Sequence, residues 1–321
     1  MRWETRLLLL VTAVAVTASL VGCGQSAGSG QRANAQKAPN QVTVRVLRDA
    51  SAAASRVPPK ATPDPGQWIY SKVVQYEYPN SVTSSEQWIT FAGAKTADHE
   101  GSGGPFVVRT SPIPPLADIT SDPLGEFNKD VTPQTAYYAV ASLPTAPRQL
   151  LAQVAKAAGD LGAANLWAGT PILGLTPENK SQLEFDYASL LLWNAAAGVG
   201  APPAAEAAVF RAMAAIPGVT VQRDITDAAG ARAIGVSGDG GYDQLLLDPV
   251  SYQVIGLRQL SNGIAPKVAQ LDPMQLAVLP SAERQQVLRK MQAALTWPRK
   301  GTVVLSMAYT RVSEVSGPGV R

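Results

Sequence analysis

The sequence predicts an α+β fold in which a curved, mostly antiparallel sheet, half-barrel-like in shape, packs on helices within a single domain. Two groups of alternating apolar and polar residues, one early and one late in the chain, predict the strands. A helical middle with several proline-containing helix starts separates the two groups. Because each group of strands has an apolar face to bury, the most economical arrangement joins them into one continuous sheet.

The first residues have the pattern of a secretion signal. Arg2 and Arg6 precede an apolar stretch, residues 7–20, that is too short to span a bilayer of about 30 Å. Leu-Val-Gly-Cys, ending at Cys23, resembles the lipobox of bacterial lipoproteins, in which the cysteine thiol receives a diacylglycerol. We therefore expect residues 1–22 to be a lipoprotein signal peptide and Cys23 to be lipidated. The alternative is an ordinary export signal beside an unmodified thiol.

A tether is expected between the lipid anchor and the folded domain. Residues 24–40 are mostly Gly, Ser, Ala and Gln, which bury too little apolar surface to offset the entropy of ordering them. A short helical segment is predicted within 42–57, before prolines that stop a helix. The interpretation is a lipidated flexible tether over 23–65 and a domain over 66–316.

The strands are predicted from alternation and from turn residues. Residues 67–78 alternate, and 86–91 and 106–110 extend that group as a meander. The later group is expected to hold five strands, at 219–223, 231–237, 242–248, 252–259 and 302–314.

The helical middle is predicted from capping residues and apolar faces. Hydroxyl residues beside prolines mark helix starts at Thr132, Thr145 and Thr176. The segment 183–197 is apolar nearly all round and predicts a buried helix, followed by another at 204–216. Two further helices are expected in an insertion at 263–299.

Composition excludes some classes of function. Removing two of the 27 basic and one of the 24 acidic side chains with the signal leaves a formal excess of +2. A nearly neutral chain without a Lys/Arg block does not favour nucleic acid as a partner. The single cysteine, once lipidated, leaves no thiol for disulfides, metal ligation or nucleophilic catalysis. We therefore expect no cofactor and no metal.

Four short segments resemble an uncharacterised family of exported or membrane-anchored proteins from high-GC Gram-positive bacteria. They are Gly66-Gln67-Trp68-Ile69-Tyr70, Ser142-Leu143-Pro144-Thr145, Ala214-Ala215-Ile216-Pro217-Gly218-Val219, and Leu247-Asp248-Pro249 through Gly256. That family is similar to the half-barrel lipoproteins typified by LolA, MucB and the mycobacterial lipid-binding lipoproteins. The resemblance implies a sheet wrapped around helices that leaves an apolar cavity, and it carries over no catalytic residues.

Candidate catalytic residues are few. His99 is the only histidine and lies in a polar loop, where it lacks a recognisable nucleophile and orienting acid. Ser102 lies among glycines but without the strand and helix that would expose an activated hydroxyl. The sequence therefore predicts a protein that is not an enzyme.

Two groups of acids were weighed as metal sites. Asp118, Asp122, Glu126 and Asp130 recur every four residues, but Pro123 and Gly125 would break a shared helix and the spacing is not that of a calcium loop. Asp239 and Asp243 flank a glycine-rich segment that predicts a hairpin turn. A solvated loop and a turn are the preferred interpretations.

The remaining feature is a set of apolar and aromatic side chains that either fill a core or line a pocket for a hydrophobic ligand such as a lipid. The candidate pocket residues are Trp68, Tyr70, Val74, Trp88, Leu190, Leu191, Trp193 and Phe210. The leading hypothesis is a lipid-anchored, extracytoplasmic, non-enzymatic binding protein on the cell membrane. The alternative is an interaction or sensor module for an envelope protein, without a ligand pocket.

Overall fold

A computed structural model describes residues 40–99, 106–160, 180–263, 284–285 and 298–321. The predictions for Cys23, for Ser102, for the helix start at Thr176 and for most of the insertion at 263–299 lie outside these residues. The chain divides into two compact units. One comprises Met1–Ala35, Trp167–Gly174 and Ser261–Thr302, and the other comprises Gln36–Leu166, Leu175–Leu260 and Val303–Arg321.

The second unit contains nine strands. They are β1 (Trp68–Glu77), β2 (Ser81–Thr90), β3 (Lys95–His99), β4 (Phe106–Thr110), β5 (Thr220–Thr226), β6 (Arg232–Ser237), β7 (Asp243–Leu247), β8 (Val254–Leu260) and β9 (Val303–Val315). All pair antiparallel in one open sheet of order β4-β3-β2-β1-β9-β8-β7-β6-β5. The predicted class, an antiparallel sheet packed on helices, is confirmed.

The two groups of strands form one continuous sheet, as predicted, and the last strand is where they meet. β9 pairs with β1 on one side, where Trp68 is opposite Val315, and with β8 on the other, where Arg258 is opposite Ser306. The strand that the sequence did not predict is β3, which lies between β2 and β4. Its residues were interpreted as a polar loop around His99.

Seven helices are described in the second unit. They are α1 (Gln41–Arg56), α2 (Leu116–Ser121), α3 (Pro123–Lys129), α4 (Pro133–Ala141), α5 (Pro147–Asp160), α6 (Lys180–Ala197) and α7 (Pro203–Met213). Thr132 caps α4 as predicted, and Thr135 completes a capping box with it. Every side chain of α6 from 184 to 193 is buried, which confirms the prediction of a buried helix.

Helix α1 belongs to the folded body. Its residues Val46, Leu47 and Ala50 are fully buried, and the helix packs against α7. The Ser51 hydroxyl donates to the carbonyl of Ala207 at 2.9 Å, and Arg211 donates to that hydroxyl at 3.1 Å. The folded body therefore includes α1, which the sequence placed in the tether before a domain starting at residue 66.

The four regularly spaced acids lie in or beside two short helices, and this corrects the prediction of a loop. Pro123 occupies the first position of α3, where its missing N–H has no helical partner to lose. The Asp122 side chain caps that helix by accepting from the Gly125 N–H at 3.2 Å. Glu126 accepts from Lys129 at 2.6 Å. The acids therefore belong to these two short helices and to the residues that cap them.

The first unit is described only around the two ends of the insertion. The N–H of Ser261 donates to the carbonyl of Thr302 at 2.8 Å, and the N–H of Gly301 donates back to Ser261 at 2.8 Å. The Ser261 hydroxyl also donates to the carbonyl of Pro298 at 2.8 Å. These bonds hold the two ends of the insertion side by side.

The sheet has two faces with different surroundings. Along a strand, successive side chains point to opposite faces, and residues opposite one another in neighbouring strands share a face. We call the face that carries Val73 and Tyr309 the helix face, because Trp193 of α6 stacks on Tyr309 with ring centroids 4.0 Å apart. We call the face that carries Tyr70 and Trp88 the tail face, because residues 316–321, the tail, contact it.

Candidate functional site

The eight predicted pocket residues do not share one space. Trp68, Tyr70 and Val74 alternate along the tail face of β1, and Trp88 is opposite Tyr70 in β2. The other four lie in helices: Leu190, Leu191 and Trp193 in α6, which packs on the helix face, and Phe210 in α7, which packs against other helices including α6. The sheet therefore separates one half of the predicted set from the other.

The tail face carries an aromatic cluster that the tail covers. The rings of Tyr70 and Trp88 lie 5.0 Å apart, and Phe106 meets Trp88 edge-on at 5.2 Å. The indole N–H of Trp88 donates to the carbonyl of Val320 at 2.6 Å. Trp88 is 1% exposed. This part of the predicted pocket is occupied by the protein's own chain.

The helix face meets a strip of polar side chains on α6. Gln182, Asp186, Ser189 and Trp193 are spaced by four, three and four residues, which places them on one side of a helix. Trp193 contacts Tyr309 of β9 at one end of the strip. We call Gln182, Asp186, Ser189 and Trp193 the polar strip.

Two carboxyl groups interact at the other end of the polar strip. Burial raises the pKa of Asp186 well above its ordinary range, and the negative charge of Asp243 in β7 raises it further. Burial also raises the pKa of Asp243. Asp186 accepts from the Gln182 amide at 2.6 Å, and Asp243 accepts from the Gln259 amide at 3.0 Å. This arrangement favours a protonated carboxyl at a pH where an exposed aspartate is ionised.

Three buried polar atoms around the strip have no hydrogen-bond partner. They are Oδ2 of Asp186, Oγ of Ser189 and the hydroxyl of Tyr309. Asp186 is 4% exposed and Ser189 is 6% exposed. A buried polar group without a partner costs about 1–3 kcal/mol, so native proteins leave few of them. Three on facing surfaces mark the place where a ligand or ordered water would be bound.

The wall between these polar atoms is apolar. Leu245, Leu257 and Met307 lie opposite one another on three neighbouring strands of the helix face. This row of three residues lies between the row that contains Asp243 and the row that contains Tyr309. A ligand held between α6 and this part of the sheet would therefore meet hydrogen-bonding groups at both ends and an apolar surface between them.

Comparisons of the chain with protein-family models, with curated proteins and with solved structures found no match. Among the helices described, none is long and apolar enough to cross a membrane. The described residues also contain no group of three or more His, Cys, Asp or Glu side chains that could hold a metal ion.

The remaining candidates from the sequence lie away from the polar strip or have a structural role. His99 is the last residue of β3 and is opposite Phe106. Gly240 and Gly241 adopt positive φ angles of 99° and 70° in the β6–β7 turn, which confirms the predicted hairpin beside Asp239. The same segment leads Asp243 towards Asp186, a pairing that the turn assignment did not reveal.

The sequence analysis missed Asp186, Ser189 and Tyr309. The first two were overlooked because α6 was assessed by its apolar content, although their spacing on one side of a helix was visible. Tyr309 lies within the predicted last strand. Its contact with Trp193 depends on which face the helices cover, and no periodicity in the sequence specifies that.

Proposed function

We propose that this protein is a non-enzymatic binding protein, held on the extracytoplasmic face of the cell membrane by lipid on Cys23. Its ligand lies between α6 and the helix face of the sheet. The observation that carries the proposal is the set of three unpartnered buried atoms on Asp186, Ser189 and Tyr309. A ligand that hydrogen-bonds to them would offset their desolvation.

The chemistry of the site supports an amphipathic ligand. Its polar group would meet the carboxyl of Asp186 and the hydroxyls of Ser189 and Tyr309, and its apolar body would lie against Leu257 and Met307. Pockets for small molecules commonly combine an apolar lining with a few polar groups that fix orientation. The proposed ligand is therefore amphipathic, whereas the sequence predicted a hydrophobic ligand without specifying a polar end.

The position of the only histidine supports the non-enzymatic part of the proposal. His99 is in β3, and β9 with Tyr309 is three strands away in the sheet order. Three strand spacings separate the two backbones by about 14 Å. The backbone of His99 is therefore well separated from the end of the proposed site that holds Tyr309.

Native mass spectrometry of the full lipidated chain tests the binding site. The expected result is a bound small molecule in addition to the lipids on Cys23. Its occupancy should fall in Ser189→Ala and in Tyr309→Phe, because each removes one hydroxyl that the ligand would pair. The matched control is Ser313→Ala, which removes an unpartnered hydroxyl from the tail face. Equal occupancy in all these variants, or loss only in Ser313→Ala, would contradict the proposed location.

Cell fractionation tests the anchor. Cys23→Ala should move the protein out of the membrane fraction or leave it unprocessed, because two or more acyl chains account for stable anchoring. Ser26→Ala, three residues away, should remain with the membranes. Mature Cys23→Ala protein that still fractionates with membranes would show that another segment anchors it.

A specific observation favours the alternative function, an interaction or sensor module. The cluster of Tyr70, Trp88 and Phe106 is an aromatic surface that the irregular tail contacts through the bond from Trp88 to Val320. A partner protein that replaced the tail would find aromatic side chains of the kind enriched in interfaces. A native mass without any bound small molecule would favour this alternative.

A further inference from the structure

A row of buried polar side chains crosses the tail face. Ser237, Gln244, Arg258 and Ser306 lie directly opposite one another on β6, β7, β8 and β9. Each of the four is at most 8% exposed. The row lies on the opposite face of the sheet from the polar strip of α6, so it is a separate feature.

The positive charge of Arg258 is surrounded by neutral groups. Its Nε donates to Oε1 of Gln244 at 2.7 Å, and one Nη donates to Oε1 of Gln222 at 3.3 Å. In the described part of the chain, Arg258 forms no ion pair. By contrast, the far more exposed cations at Arg232 and Arg321 each pair with a carboxylate.

Burial of an uncompensated guanidinium is unfavourable. Moving a charge out of water costs several kcal/mol unless a counter-charge and further hydrogen bonds repay the cost. Burial lowers the pKa of Arg258, in line with this cost. The two glutamine carbonyls supply partial negative charge but no full counter-charge.

Ser306 supplies the second observation. It is directly opposite Arg258 on β9, it is 3% exposed, and its hydroxyl has no hydrogen-bond partner. Ser306 lies on the β9 side of Arg258, whereas the guanidinium bonds to glutamines on β7 and β5, so an anion that accepts from both groups would lie over β8. The neighbouring row of the same face holds Ala308, Gly256 and Leu246, which are small or apolar.

We propose that Arg258 and Ser306 bind the anionic group of a ligand, a carboxylate or a phosphate, on the tail face. The guanidinium provides the counter-charge and planar donors, and the hydroxyl provides a third donor. Gln222 and Gln244 are positioning residues that hold the guanidinium in the row. The apolar neighbouring row fits a ligand whose anionic group is attached to a hydrocarbon body.

Calorimetric titration of the full chain tests the anion site. Sodium butyrate and inorganic phosphate are titrated separately against a chloride control of equal ionic strength. Binding of either probe above the chloride control supports the site. Tighter binding of butyrate assigns a carboxylate with a hydrocarbon body, and tighter binding of phosphate assigns a phosphate group. Absence of binding by both probes at millimolar concentration overturns the proposal.

Variants locate the bound anion. Ser306→Ala should weaken binding about tenfold or more, since a hydrogen bond to a charged group contributes about 1.5–3 kcal/mol. Arg258→Met should abolish binding. The matched control is Arg232→Met, an exposed arginine on β6, which should bind as the parent does. If Arg258→Met fails to fold, Ser306→Ala decides: unchanged affinity in that variant shows that the anion binds elsewhere.

Discussion

The two faces of the sheet are buried by different kinds of structure. The helix face packs on α6, an 18-residue helix. The aromatic cluster of the tail face is contacted by the tail, an irregular segment that contains two glycines and a proline. Trp88 is 1% exposed and Trp193 is 2% exposed, so the two indoles are equally buried. The buried fraction of a side chain therefore does not show whether a helix or a short irregular segment covers it.

The charges on the two faces also differ. Buried acids lie on the helix side, where burial raises the pKa of both Asp186 and Asp243, and the negative charge of Asp243 raises that of Asp186 further. On the tail face, the buried charge is the guanidinium of Arg258. The sheet therefore has buried carboxyl groups on one side and a buried guanidinium on the other, and each face can serve a different kind of ligand.

The largest expected effect is on the tail face. Trp88→Ala should lower the free energy of unfolding by about 3–5 kcal/mol, because a large buried ring is removed from between Tyr70 and Phe106. Trp88→Phe keeps a ring and removes the N–H donor, so it should cost about 1 kcal/mol. Urea denaturation measures both. If Trp88→Ala lowers the free energy of unfolding by less than about 1 kcal/mol, the aromatic cluster of the tail face does not behave as part of a hydrophobic core.

A comparable effect is expected on the helix side. Leu191 is fully buried within α6, so Leu191→Ala should lower the free energy of unfolding by about 2–5 kcal/mol. The sequence analysis left open whether Leu190, Leu191 and Trp193 fill a core or line a pocket. The same denaturation experiment on Leu190→Ala, compared with uptake of a fluorescent fatty acid, separates the two roles. A small stability loss with reduced uptake identifies a pocket residue.

The next effect in size is a pH-dependent change in stability that arises in α7. Burial raises the pKa of Glu206 in α7 from its ordinary 4.5 to about 7. The folded state then holds a proton that the unfolded state has lost, so stability falls as pH rises from about 4.5 to 7. The loss is at most about 3 kcal/mol at higher pH.

Glu206→Gln isolates this contribution. Thermal unfolding between pH 5 and 8 should show a flatter stability curve for Glu206→Gln than for the parent. Asp224→Asn changes an exposed carboxylate and should keep the parent's slope. An unchanged slope in Glu206→Gln would place the pH dependence with Asp186 and Asp243 instead.

The smallest effect is expected at the tail. Arg321 pairs with Glu86 at 2.7 Å, but its side chain is 58% exposed. Exposed ion pairs contribute about 0–1 kcal/mol, so Arg321→Ala should barely change the unfolding midpoint. Hydrogen exchange at the Trp88 indole N–H should nevertheless become faster, because the tail loses one of its attachments. Unchanged exchange would show that the ion pair does not help to hold the tail in place.

Alternation in the sequence predicted most of the sheet because side-chain period is a local property. It identified eight of the nine strands, including the placement of Trp68 and Tyr70 on a common face. It missed β3, since Lys-Thr-Ala-Asp-His has little apolar or aromatic content. The pairing of β3 with β2 and β4 is a tertiary property that a strand of four polar residues and one alanine does not reveal.

The features that the sequence did not reveal depend on contacts between distant residues. The packing of α1 into the folded body depends on α7, because Ser51 of α1 donates a hydrogen bond to Ala207 of α7. The opposition of Arg258 and Ser306 depends on the register of β8 and β9. The eight candidate pocket residues are buried or half-buried, but their division between two sides of the sheet depends on which face the helices cover.

The position of β9 has a consequence for the order of folding. The last strand in sequence is the one between the early and late groups, and the side chain of Gln67 bonds to the carbonyl of Val315 across 248 residues. Neither group can complete its hydrogen bonding until that strand has emerged from the ribosome or from a translocation channel. Topologies dominated by such distant pairings fold slowly, so the newly made chain spends time with two open strand edges.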